Sequence, residues 1–202
     1  DAVAWSDWKS LPPAEDDPGR HHLYTSDILF GQASWVQYRA RFQTTSTSPT
    51  LHNIRLVCID SRSGPTASEL AAGRQLAADR PIVIARSGWG ADENLMTWAP
   101  EYRDPLAVIV HHTVTEDGGV DPAAIVRAIY YYHAVVREWG DIGYNYLVDH
   151  LGNVYEGRSG GPGVVGGHAL RYNWGSIGVA LIGNYQDNAV PAAMQDSLAE
   201  FL

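Results

Sequence analysis

One cysteine, Cys58, is all the thiol this 202-residue sequence contains. That excludes an internal disulfide framework and a zinc cluster built from several thiolates. Cys58 stands in the apolar run IRLVCI, where it reads as a small buried hydrophobe. Basic residues are also scarce. Fourteen Lys and Arg against 23 Asp and Glu leave a formal net charge of -9, which argues against binding to DNA, RNA or an anionic membrane. No apolar run approaches the roughly 20 residues of a membrane span. The opening DAVAWSDWKS lacks the basic region and apolar stretch of a signal peptide, so an exported protein would have shed its signal already. With 45% hydrophobic and 18% charged residues the chain fits a folded globular protein, long enough for one good core or a domain with a small companion. Aromatics are what it has in quantity: seven Trp and eleven Tyr on an acidic chain suit carbohydrate-like ligands.

Residues 1–60 carry strand signals. In SWVQYRARF, Val36, Tyr38, Ala40 and Phe42 alternate with polar residues, the period of a half-buried strand. LHNIRLVCI predicts a second strand and WSDW is a candidate third. These are too few to close a sandwich, so a partial β-rich module is expected here. The stretch at 61–80, rich in Gly, Pro, Ala and Ser, predicts a linker with a short helix at 67–78. From 81 to 202 the pattern becomes α/β. Asp121 suits a helix N-cap, Pro122 the first helical position and Gly140 the stop, with Ile125, Ala128, Ile129, Tyr132 and Val136 on one stripe. His133 falls on the flank of that stripe. YNYLVD and NVYEG predict a hairpin across HLGN, and SIGVALIGN a buried strand. VPAAMQDSLAEFL predicts a helix with Met194, Leu198 and Phe201 on one face. That helix has no Gly, basic turn or proline at its end, so the domain is expected to be truncated there.

The most informative segment is PLAVIVHHTVTE. Leu106 to Val110 form an apolar run like the buried middle of a sheet, and it ends in His111 and His112. Successive strand residues face opposite ways, so one imidazole must turn toward a functional edge if ligands bind beyond the carboxyl ends of the strands. Imidazole is both a common metal ligand and the side chain that titrates near neutrality.

These residues belong to a longer pattern. ARSGWGA, VIVHHTVT, YYYHAVVREWG, DIGYNYLVDHLGNVYEGR and GGHALRYNWGSIGVALIGNY, followed by the opening of a final helix, occur collinearly from Ile84 onward. In these pieces the chain resembles the peptidoglycan recognition proteins, which share a fold with zinc-dependent N-acetylmuramoyl-L-alanine amidases. The resemblance implies an α/β domain with a central mixed sheet flanked by helices. It implies hydrolysis of the amide between N-acetylmuramic acid and the L-alanine of the peptidoglycan stem peptide, in a secreted or wall-associated protein. By residue, it implies that His111 is a zinc ligand and Tyr144 the catalytic tyrosine. His133, Arg158, His168 and Asn173 would line the groove for the muramyl peptide, with His112 and Thr113 shaping its floor. Each has a plainer reading: His133 as helix-edge packing, Tyr144 as a strand aromatic, Arg158 as a solvated turn residue, His168 as a surface histidine after GGPGVVGG. Trp89 and Trp174 could stack on sugars or pack in the core.

The chemistry suits the residues. A secondary amide needs a polarised carbonyl and an activated water, which a zinc with three protein ligands and an open position supplies. A tyrosine hydroxyl can stabilise the oxyanion. The resemblance also implies a further histidine and a cysteine or aspartate as ligands after the last helix, and neither His168 nor Cys58 matches those positions. Two expectations follow: a zinc amidase whose native chain runs past Leu202, or a module that binds peptidoglycan without cutting it.

Overall fold

The computed structural model describes residues 6–11, 26, 28–29, 35–41, 50–60, 62–64 and 82–202. The chain divides into two units, Asp1–Gln32 and Ala33–Leu202. In the first, residues 6–11 are exposed and form neither helix nor strand. In the second, the elements of the described residues are β1 (Val83–Ile84), α1 (Arg86–Trp89), a 3-10 turn (Glu93–Leu95), β2 (Ala107–His112), α2 (Pro122–Tyr131) running into a π turn (Tyr132–Val136), β3 (Tyr146–Val148), β4 (Val154–Glu156), β5 (Ser176–Leu181) and α3 (Ala192–Phe201).

The five strands form one sheet in the order β1-β4-β3-β5-β2. Only β3 and β4 pair antiparallel, as the hairpin required by the short Asp149–Asn153 turn; the other pairings are parallel. This is the mixed α/β sheet expected. Register assigns the faces, because paired residues of adjacent strands point the same way. Tyr146 pairs with Val179 and Val148 with Leu181, so these share one face with Val154. Met194 of α3 lies over them, with Leu198 and Phe201 packed alongside, as the spacing of the three predicts. Burying each such side chain contributes about 1.5–3 kcal/mol. Gly178, Ala180, Leu147 and Tyr155 occupy the other face. Arg127 of α2 is buried and donates to the Trp89 carbonyl at 2.9 Å.

Asp121 caps α2 by accepting from the Ala124 N–H, and Pro122 takes the first helical position, as expected. The helical run ends at Val136 instead of Gly140. The π turn widens the coil around His133, whose carbonyl accepts from the Trp139 N–H and closes it early. Gly140 serves a turn instead, with φ of 78°.

Several other expectations fail. The apolar strand β2 is not buried: it is an edge strand, with Val108 and Val110 44% and 45% exposed. A continuous apolar run resembles a strand covered on both faces, but β2 has β5 on one side and, among the described residues, no strand on the other. The strands expected within 34–42 and 51–59 are absent from the described residues 35–41 and 50–60, which carry no strand and are largely exposed. Alternation marks a strand face only where a core exists to cover it. Cys58 is consequently exposed, not buried. The helix expected at 67–78 lies outside the described residues.

Candidate functional site

Strand alternation separates the two adjacent histidines. His112 turns to the α3 face, where its Nδ1 accepts from the Tyr185 N–H at 2.9 Å. His111 turns to the opposite face. There the β5 positions beside it are Gly178 and Ala180, too small to fill the space. A Cβ at Gly178 would lie 2.2 Å from His168 Cγ, so the missing side chain is what lets the His168 ring lie on the sheet. His111 Nε2 and His168 Nδ1 meet at 2.9 Å across 57 residues of sequence. Tyr144 joins them, its ring centroid 5.7 Å from that of His111. All three are partly accessible. These three side chains, which define the candidate cleft, therefore gather on the sheet face over β5, near the carboxyl end of β2.

Hydrogen bonding assigns the protons. Ser176 Oγ donates to the Tyr172 carbonyl, so it accepts from His168 Nε2 at 3.3 Å. His168 Nδ1 is then the unprotonated nitrogen and accepts from His111 Nε2–H. Burial pushes the His168 pKa down to about 4, aided by His111, and burial likewise lowers that of His111. Two neutral imidazoles can share one proton in this way; two charged ones would repel.

Beneath the cleft, His133 is buried in a ring stack, 4.6 Å from Trp139 and 5.6 Å from Tyr144 between centroids. Its Nδ1 accepts from the Gly143 N–H, which leaves the proton on Nε2. Burial drives its pKa down to about 3, with Arg137 and Arg158 adding to the shift. Arg158 is buried too, donating to the Ile142 carbonyl at 3.2 Å with its guanidinium 3.8 Å from the centre of the Trp98 ring. It is not a solvated turn residue. Asn173 Oδ1 accepts from the His168 and Ala169 N–H groups and so clamps the loop that presents His168. Thr113 Oγ1 accepts from the Gly183 N–H at 3.0 Å and fastens the end of β2.

Of the expected site residues, His111, Tyr144 and His168 thus meet in the cleft. His133, Arg158 and Asn173 brace it from below or behind, His112 turns to the α3 face, and Thr113 is tied to the Gly183 N–H. Trp89 is fully buried core, whereas Trp174 is exposed. Asn145, Trp139, Ser176 and Gly178 were not anticipated. Asn145 pins Gly178 by accepting from its N–H and donating its own N–H back. A glycine inside the apolar strand SIGVAL was the available signal, since it marks close approach of another group.

A catalytic zinc takes three protein ligands. The described residues bring two imidazole nitrogens together, and the His111 Nε2 between them carries a proton that a metal would have to displace. No group of three His, Cys, Asp or Glu among the described residues is placed to hold a metal ion. These residues by themselves do not fit a catalytic zinc.

The chain is similar to known proteins. Residues 101–202 match the family model for N-acetylmuramoyl-L-alanine amidase. The chain is 36% identical over 114 residues to peptidoglycan-recognition protein SC2 of Drosophila simulans, covering 55% of this chain and 60% of that protein's length. To peptidoglycan-recognition protein SC1a/b of the same species it is 33% identical over 129 residues, covering 60% and 68%. Among solved structures, wild-type Drosophila PGRP-LB matches with a TM-score of 0.52 at 32% identity, over 58% of this chain and 69% of that one. Peptidoglycan recognition protein-LE, in complex with tracheal cytotoxin, a monomeric diaminopimelic acid-type peptidoglycan, matches at 0.53 and 33%, with the same coverage.

Proposed function

The chain belongs to the N-acetylmuramoyl-L-alanine amidase family, and from that premise we propose that its cleft holds a muramyl peptide of peptidoglycan and serves cleavage of the amide between N-acetylmuramic acid and L-alanine. The observation that carries the reading is the meeting of His111, His168 and Tyr144 over Gly178. The solved relative in complex with a monomeric peptidoglycan supports the substrate class. Action on peptidoglycan also implies a secreted or wall-associated protein. No helix among the described residues is long and apolar enough to cross a membrane.

The Tyr144 hydroxyl is suited to donate to the amide oxygen as negative charge builds on it, the role in which one preorganised donor is worth about 10²–10³ in rate. The His133–Trp139 stack holds the Tyr144 ring in place, and because His133 is neutral it sets no positive charge beside the phenol. With the other three ring nitrogens engaged in the His111–His168–Ser176 chain, the neutral pair offers the His111 Nδ1 lone pair to polar groups of the muramyl peptide. Zn2+ is the cofactor proposed for the reaction, with His111 as a ligand; the two-nitrogen complement described above is too small to hold it as a catalytic ion. That shortfall favours a second reading, in which the cleft binds peptidoglycan without cutting it.

Incubation with purified sacculi and added zinc separates the two. Hydrolysis frees stem peptides with an L-alanine amino terminus, and Tyr144→Phe should lower that release by about 10²-fold while leaving the thermal midpoint in place. Sedimentation with sacculi but no release identifies the binding module. Neither sedimentation nor release would exclude both.

A further inference from the structure

The loop between His168 and β5 presents an aromatic surface that the cleft does not use. Leu170 is 86% exposed, Tyr172 70% and Trp174 59%. Such side chains usually protrude from loose segments, but this loop is fastened at every turn. Asn173 clamps its start, the Tyr172 N–H donates to the Ala169 carbonyl, and the Leu106 N–H donates to the Gly175 carbonyl at 2.7 Å. Arg171 takes a left-handed φ of 74°, a conformation that costs energy in a non-glycine residue. The Arg103 guanidinium lies 4.8 Å from the centre of the Trp174 ring. Arg103 and Trp174's two chain neighbours, Asn173 and Gly175, also line a shallow depression with Gly163 and Ser176. An exposed apolar surface held this firmly calls for a ligand.

We infer that this loop is a glycan platform, on which Trp174 stacks against a sugar of the peptidoglycan strand beyond the muramyl residue in the cleft. The inference rests on the proposed function. The surface adjoins the cleft through covalent and hydrogen-bonded links: Asn173 holds the His168 backbone, and Ser176 bridges His168 to the Tyr172 carbonyl. Its chemistry is that of carbohydrate recognition, an aromatic face for the C–H side of a pyranose with polar groups around it for hydroxyls. The net charge of -9 disfavours a polyanion as the ligand, while Arg103 and Arg171 suit the carboxylates that peptidoglycan carries beside its neutral sugars. Extended glycan should therefore bind more tightly than a single muramyl residue, with Trp174 responsible for the increment.

Isothermal titration calorimetry with three probes tests this: muramyl dipeptide, a muropeptide with several sugars, and soluble glycan strands stripped of stem peptides. The intact chain should bind the longer muropeptide more tightly than muramyl dipeptide. Trp174→Ala should erase about tenfold of that affinity without changing the muramyl dipeptide value, and Trp174→Phe, which keeps a ring, should recover most of it. Muramyl dipeptide binding with no gain from added sugars overturns the platform and spares the cleft. Binding of stripped glycan but not of muramyl dipeptide, with sensitivity to Trp174→Ala, does the reverse. An unbound set of probes removes both. Unchanged glycan affinity in Trp174→Ala, accompanied by weaker self-association in sedimentation, overturns the platform in favour of an interface between copies.

Discussion

On one side of β5, Val179 and Leu181 are closed over by Met194, Leu198 and Phe201 of α3. On the other side, Gly178 and Ala180 leave a hollow that the His168 ring enters. The same six residues thus build a dry core and the floor of a cleft, because alternation sends neighbours to opposite faces. Side-chain volume decides which face becomes which. Large aliphatics draw a helix down, and glycine admits an imidazole against the strand. His111 and His112 divide in the same way, one into the cleft and one into a backbone contact with Tyr185.

If the faces are independent, damage to one should leave the other's property alone. Met194→Ala opens a cavity in the covered face and should lower stability by about 3 kcal/mol, read by urea denaturation. Muropeptide affinity of the still-folded protein should not move; a parallel drop in affinity would break the comparison. Gly178→Ala attacks the other face. The added methyl must displace His168 from His111 at a cost of about 2 kcal/mol. Nitrogen shifts of the two imidazoles by NMR should lose the signature of a shared proton, and muropeptide binding should fall with it. Unaltered imidazole shifts would show that the close approach does not hold the pair.

The contrast can also be sharpened through pH. His133 has a native pKa of about 3, below the ordinary histidine value of 6.5, so the unfolded chain takes up a proton that the native state refuses. Stability is full above 6.5 and is lost as pH falls from there toward 3, by at most about 1.4 kcal/mol per pH unit for one group. His133→Gln should flatten this part of the profile relative to the parent chain. Equal slopes in the two proteins would mean that His133 is not held neutral by its burial.

Much of the scaffold was readable in advance because it follows from short-range rules. Asp121 and Pro122 mark a helix start by the needs of unpaired N–H groups. The Asp149–Asn153 turn closes a hairpin, and Met194, Leu198 and Phe201 align because of helical period. The site was legible only through family resemblance, which named His111, Tyr144 and His168 without saying how they meet. Long-range placement defeated local reading elsewhere. An apolar β2 became an edge strand, alternation at 35–41 produced no strand, and Cys58 stayed exposed.

By itself, then, the order of residues determined where helices and hairpin begin and which positions share a face, since those depend on backbone geometry over a few neighbours. Only the tertiary structure decided that two imidazole rings 57 positions apart hydrogen-bond to each other, that Arg158 and His133 lie buried under the cleft, and that Trp174 stands outside the core. Those outcomes depend on which strands become neighbours and how much volume each leaves, and no stretch of sequence contains that information alone.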